Sequence, residues 1–209
     1  MAKRLLSHGR LGHAGRVTAT VGPSSAERLL DAAVGAFADK GYAATTTRDI
    51  ASRAGLSPAG VYVHFDSKEA LLHALSVRGH AAALDLVTRS VAPPGTASER
   101  VARVMAAFSA WHAEHHDVAR VVQYEFPHLT PEHHAEVVEL RRRIDRTVRA
   151  VIEEGVASGE LEVDDVGATA LALLSLCIDV ARWYSPASGR SPQSIGRTYA
   201  ALGLRLLTP

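Results

Sequence analysis

The stretch that most restricts the fold runs from Thr45 to Leu72, TTTRDIASRAGLSPAGVYVHFDSKEALL. It carries several local instructions in little chain, and they agree. Thr46 is placed to cap a short helix, with Asp49 three residues on as the other half of a capping box. Ile50, Ala51 and Ala54 give that helix an apolar side. Gly55 follows, and glycine reaches positive φ without strain, so the chain turns sharply there. Ser57 caps a second short helix, expected over Pro58–His64. Pro58 takes its first position, where a missing N–H costs nothing. Val61 and Phe65, four apart, face inward. Asp66 opens a third helix, with Glu69 closing another capping box. Two short helices about a glycine turn, followed by a long one, make a helix–turn–helix.

The second short helix has a bare end. Pro58, Ala59 and Gly60 are small and uncharged, and Tyr62 and His64 follow. Such an end approaches base edges and phosphates closely, as a recognition helix must. Lys68 points the same way. A cation in the first turn of a helix opposes the macrodipole, so it needs another partner, and a DNA phosphate supplies one.

Together FADKGYAATTTRDIA and AGLSPAGVYVHFDSKEALL resemble the DNA-binding domain of the TetR family of bacterial transcriptional regulators, over about residues 24–75. The resemblance implies an all-α homodimer with a helix–turn–helix at each N-terminus and a larger helical domain that binds a small ligand and dimerises. It implies DNA contacts at Thr47, Arg48, Ser57, Pro58, Ala59, Gly60, Tyr62, His64 and Lys68. Thr47, His64 and Lys68 fall to phosphates, and Ser57, Ala59 and Tyr62 to backbone or bases.

The rest of the chain fits this plan. Hydrophobic residues make up 47% of 209 but aromatics only 5%, so alanine, leucine and valine must fill the core, as in packed helices. With 23 basic and 22 acidic residues, any basic patch is local. A single cysteine, Cys177, excludes an internal disulfide and fits a reducing cytoplasm. No uninterrupted run of about 18 apolar residues occurs, so no membrane span is expected.

Residues 1–23 read as a basic arm, with Lys3, Arg4, Arg10 and Arg16 and no acid. Residues 24–70 form the DNA-binding domain and 71–209 the ligand-binding and dimerisation domain. Periodicity and breakers predict about nine helices. Beyond the helix–turn–helix they cover residues 24–40, 67–91, 97–116, 117–125, 131–158, 163–184 and 192–207. The helix over 163–184 is nearly apolar all round, which predicts burial on every side. Gly196, Ala200 and Gly203 of the last helix permit close approach, and the TetR resemblance implies that these two helices of each subunit make a four-helix dimer interface.

The pocket is expected between the connecting helix and the helices after Pro94, lined by Phe108, Trp111, Val121 and Tyr124. Arg182 is the expected anchor: a guanidinium at the end of an apolar helix needs Asp179 or an anionic ligand group. EHHDVARVVQYE, IEEGVASGEL and VARWYSP are similar to the TetR branch that senses acyl-CoA thioesters, which favours that effector over a hydrophobic cation or a metal. His112 and His116 have a zinc-compatible spacing but no defined third ligand, so no metal is expected. Arg141, Arg142, Arg143, Arg146 and Arg149 read as a solvated face stitched by i,i+4 acids. No GxSxG, P-loop or GxGxxG is present, so neither an enzyme nor a cofactor is expected. The expected function is a repressor released from a palindromic operator by its effector. The alternative is a helical scaffold with a degenerate reader.

Overall fold

A computed structural model describes residues 23–207. The arm expected over residues 1–23 lies, apart from Pro23, outside them. Nine α-helices and no strand are found among the described residues.

The N-terminal bundle forms where the caps indicate. Helix α1 (Ser25–Ala44) starts at a complete Ser24–Glu27 capping box, and Gly41, at φ +74°, breaks it before its last turn. Helix α2 (Thr47–Arg53) carries the expected Thr46–Asp49 box. Gly55 turns at φ +67°, and α3 (Pro58–Tyr62) starts with Ser57 accepting from the Gly60 N–H. Helix α4 (Lys68–Val91) corrects one cap: Ser67, not Asp66, accepts from the Ala70 N–H. Glu69 turns away to α7 (Pro131–Ala157), where it accepts from the Thr130 N–H at 3.0 Å and pairs with His133 at 2.8 Å.

The larger part contains α5 (Ala97–Glu114), α6 (His116–Tyr124), α7, α8 (Val166–Trp183) and α9 (Pro192–Arg205). Short 3-10 turns at Phe126–His128 and Pro186–Ser188 follow α6 and α8. Two cores result. Leu29, Phe37, Ile50, Val61, Leu71 and Leu72 fill the first, joined by Val121, Val122, Leu129 and Val137 from beyond the helix–turn–helix. The second holds Val87, Val101, Met105, Phe108, Val148, Ile152, Leu173 and Cys177.

Helix α9 lies tightly against α5. A Cβ on Gly196 would sit inside the contact radius of the Ala106 carbonyl, and one on Gly203 would meet Met105 Cγ at 3.0 Å. The small residues do permit a close approach, here within one chain.

Helix α8 is not buried on all sides. Ala170, Leu173, Leu174, Cys177, Val180 and Ala181 are inside, while Leu171 is 61% exposed and Leu176 and Trp183 also face out. Leu171 and Leu176 border a cavity, whereas Trp183 stands with Leu202 at one shallow groove, and Leu206 is exposed just past α9. The helix is long and apolar enough, by length and composition alone, to cross a membrane. Its Asp179–Arg182 ion pair and its buried inner face are those of a helix packed in a bundle.

Candidate functional site

The expected reader is α3 with the start of α2. Ser57, Pro58 and Ala59 are exposed, Gly60 is half-buried, and Tyr62 and His64 are exposed beyond them. Arg48 is exposed on α2, and the Thr47 hydroxyl lies 3.3 Å from the Tyr62 hydroxyl, which joins the two helices at one surface. Lys68 departs from expectation. Its ammonium donates to the carbonyls of Tyr42 at 2.6 Å and Thr45 at 2.8 Å, and lies 4.1 Å from the centre of the Tyr42 ring. These carbonyls close α1, so the cation complements the C-terminal end of a neighbouring helix. The electrostatic reason for assigning Lys68 to a phosphate therefore does not hold.

Tyr42 also ties the end of α1 to the rest. Its N–H donates to Glu125 Oε1 at 3.1 Å, just past α6, and its ring stacks on His128 with centroids 4.6 Å apart.

A cavity of about 1140 Å³ opens among α4, α5, α6, α7 and α8. Phe108, Trp111 and Tyr124 line it as expected. Val121 does not: it is 4% exposed and packs in the N-terminal core, while Val122, one residue on, reaches the cavity. Both valines pack in that core, and because neighbouring residues on a helix point about 100° apart only Val122 also reaches the cavity.

Arg182 lines the outer edge of the cavity, but its side chain is 62% exposed and bound to Asp179 at 2.6 and 3.0 Å. It is not a buried guanidinium seeking an anion. Arg141 has that character instead, which corrects its assignment to a solvated face. It is partly buried, with Nε donating to His80 Nε2 at 3.0 Å and Nη2 to Gln123 Oε1 at 3.2 Å. Its guanidinium sits 4.0 Å from the centre of the Phe126 ring. Burial pulls its pKa below the ordinary range. Among the described residues no carboxylate lies within ion-pair distance of it, whereas Arg149 pairs with Asp145 and Arg120 with Asp117.

His80 and His112 stand in the same wall. Burial lowers both to about 4, so both are neutral at pH 7. Nδ1 of His80 lies 2.7 Å from the Ser76 carbonyl, and Nδ1 of His112 lies 2.8 Å from the Phe108 carbonyl. A carbonyl only accepts, so each Nδ1 carries the proton and each Nε2 is an acceptor. His116 Nδ1 bonds the Ala113 carbonyl, and among the described residues no three metal-ligating side chains converge.

Two family models match this chain. One, described as bacterial regulatory proteins of the tetR family, covers residues 29–75. The other, described as a tetracyclin repressor-like C-terminal domain, covers residues 94–207. The chain belongs to the TetR family. Among similar TetR-family proteins is the HTH-type transcriptional repressor KstR2 of Rhodococcus jostii, 32% identical over 84% of this chain and 87% of that one. The fatty acid metabolism regulator protein of Bacillus subtilis is 26% identical over 65% of this chain and 70% of its own. A crystal structure of a tetR-family regulatory protein from Rhodococcus RHA1 superposes with a TM-score of 0.84. It is 39% identical and covers 89% of this chain and 98% of that one.

The sequence carried a signal for the residues missed in this TetR-family cavity. Arg141 continues the stripe Val137, Ile144, Val148 at helical spacing. His80 sits between Ser76 and Ala83 on the buried side of α4, and His112 follows Phe108 on α5. A polar residue inside an apolar stripe is the mark of a side chain turned inward.

Proposed function

We propose that this protein is a dimeric transcriptional repressor whose hold on a palindromic operator is released by an acyl-CoA thioester. The observation that carries the effector is Arg141: a cation without a carboxylate partner, among the described residues, in the wall of a largely apolar cavity. Burying an unneutralised charge is costly, and an anionic ligand group offsets that cost. A ligand with an apolar body and an anionic head suits both parts of this wall. The family consists of regulators, the names of the similar proteins include a repressor and a fatty acid regulator, and we read the present chain as a regulator of that kind rather than an enzyme. It acts in the cytoplasm, where its DNA is.

In this reading residues 24–70 are the DNA-binding domain and 71–209 bind effector and dimerise. Thr47, Arg48, Ser57, Pro58, Ala59, Gly60, Tyr62 and His64 form the DNA face. The bare α8–α9 face meets its counterpart across a two-fold axis, an isologous contact that sets the spacing of the two readers. Phe108, Trp111, Tyr124 and Arg141 hold the ligand, with Arg182 at the edge. The ligand shifts the dimer between spacings only through its differential affinity for them, so DNA and ligand each weaken the other's binding.

The test is footprinting of the purified protein on the DNA upstream of its own gene, with and without acyl-CoAs. A protected palindrome released by an acyl-CoA supports the reading. Protection that no acyl-CoA relieves removes the effector. Absence of any protected palindrome favours a helical scaffold.

A further inference from the structure

His112 is 5% exposed and lines the cavity, its ring edge-on to Phe108 at 4.4 Å and to Trp111 at 5.0 Å. Its Nδ1–H is committed to the Phe108 carbonyl, which fixes the tautomer. Nε2 is then an acceptor and nothing else, and among the described residues no protein donor reaches it. His80, locked in the same tautomer, meets this requirement from inside the protein: its Nε2 accepts from Arg141. His112 has no such neighbour. Nε2 is accessible from the open cavity, but a ligand that fills the cavity cuts it off from water, and an acceptor then left unpaired is costly, so this position asks for an O–H or N–H from whatever fills the cavity.

We propose that His112 reads a hydroxyl group on the apolar body of the effector, so that the protein distinguishes a hydroxylated acyl group from its plain and oxo counterparts. This rests on the acyl-CoA reading of the cavity and refines it. A methylene offers His112 nothing. A ketone oxygen only accepts: it suits the Arg141 guanidinium but leaves His112 unpaired. A hydroxyl donates to Nε2 and has lone pairs left for a donor.

The experiment follows quenching of tryptophan fluorescence in the full chain with Trp183→Phe as background, so that Trp111, which lines the cavity, is the reporter. Dodecanoyl-CoA is compared with its 3-, 6- and 12-hydroxy and matching oxo derivatives. At least one hydroxy compound should bind about tenfold tighter than both the plain and the oxo form, the yield of one well-made hydrogen bond. In His112→Phe that advantage should vanish while dodecanoyl-CoA binds at least as well. Equal binding across the series in the wild type, or an advantage that survives in His112→Phe, overturns the proposal and leaves the acyl-CoA reading standing.

Failure of every CoA compound removes that reading instead, and the hydroxyl preference is then judged without the head. The ¹⁵N resonance of His112 Nε2 in the wild-type protein should move on adding 4-tert-butylcyclohexanol and stay put on adding tert-butylcyclohexane. This measurement also serves if His112→Phe does not fold. An unmoved resonance, or the same movement with both, overturns the proposal.

Discussion

The ammonium of Lys68 lies 2.6 Å from the Tyr42 carbonyl oxygen, so the first residue of α4 closes the end of α1. The long helix that runs past the cavity is thereby fastened to the reader at its first turn, on the same Tyr42 whose N–H is held by Glu125.

Lys68→Met should therefore lower stability, by about 1–3 kcal/mol for lost charge-assisted hydrogen bonds, and leave the salt dependence of operator binding unchanged. Arg48→Ala should do the reverse, flattening the slope of log K against log salt by about one for one lost phosphate contact. Urea unfolding and salt titrations of binding check both. A flattened slope in the Lys68 variant returns that residue to the phosphate set.

Arg141→Met should bind operator as the wild type does and lose about tenfold or more in affinity for acyl-CoA, because the buried counter-charge is gone. Arg182→Met should change either property little, since exposed ion pairs contribute about 0–1 kcal/mol. Calorimetric titration of both variants separates them. The opposite ranking would restore Arg182 as the anchor.

Leu202→Arg should give monomers at micromolar concentration that no longer hold the operator. Leu202 is 45% exposed on the bare α9 face, where a charge brought into an apolar contact has no partner. Light scattering reads the mass. A dimeric variant would place the interface elsewhere.

Stability should fall between pH 6.5 and pH 4. Burial holds His80 and His112 at about 4 in the folded chain, below an ordinary value of 6.5. In that window the unfolded state binds more protons, so acid favours unfolding, by on the order of 3 kcal/mol at most for His112. Urea midpoints measured from pH 7 to pH 4.5 should fall less steeply in His112→Phe than in the wild type. Equal slopes would mean that His112 is not held neutral.

The helix–turn–helix was legible because its instructions are local. A cap such as Ser57 and a turn such as Gly55 act within four residues, and the structure obeys them. The carbonyl partners of Lys68 were not legible because they lie 23 and 26 residues away, at an end of α1 that no local pattern announces. Helix α8 hid its orientation, since apolar residues on every side leave no stripe to follow. Arg182 was thus placed inside, although it shares the outward face of Leu171. The error at Val121 is the same ambiguity on a smaller scale, one step of rotation on a helix that serves both the N-terminal core and the cavity wall.

The fit of Gly196 and Gly203 against α5 bears on how a chain of this kind diversifies. The inner side of α9 is closed to larger residues, for any added carbon at 196 strikes the Ala106 backbone. Its outer side, with Leu202 and then Leu206, is about half exposed and leaves room for change. In the dimer proposed above, drift on that outer side after a gene duplication teaches sister proteins to avoid each other's company, while the shape of each subunit is handed down intact.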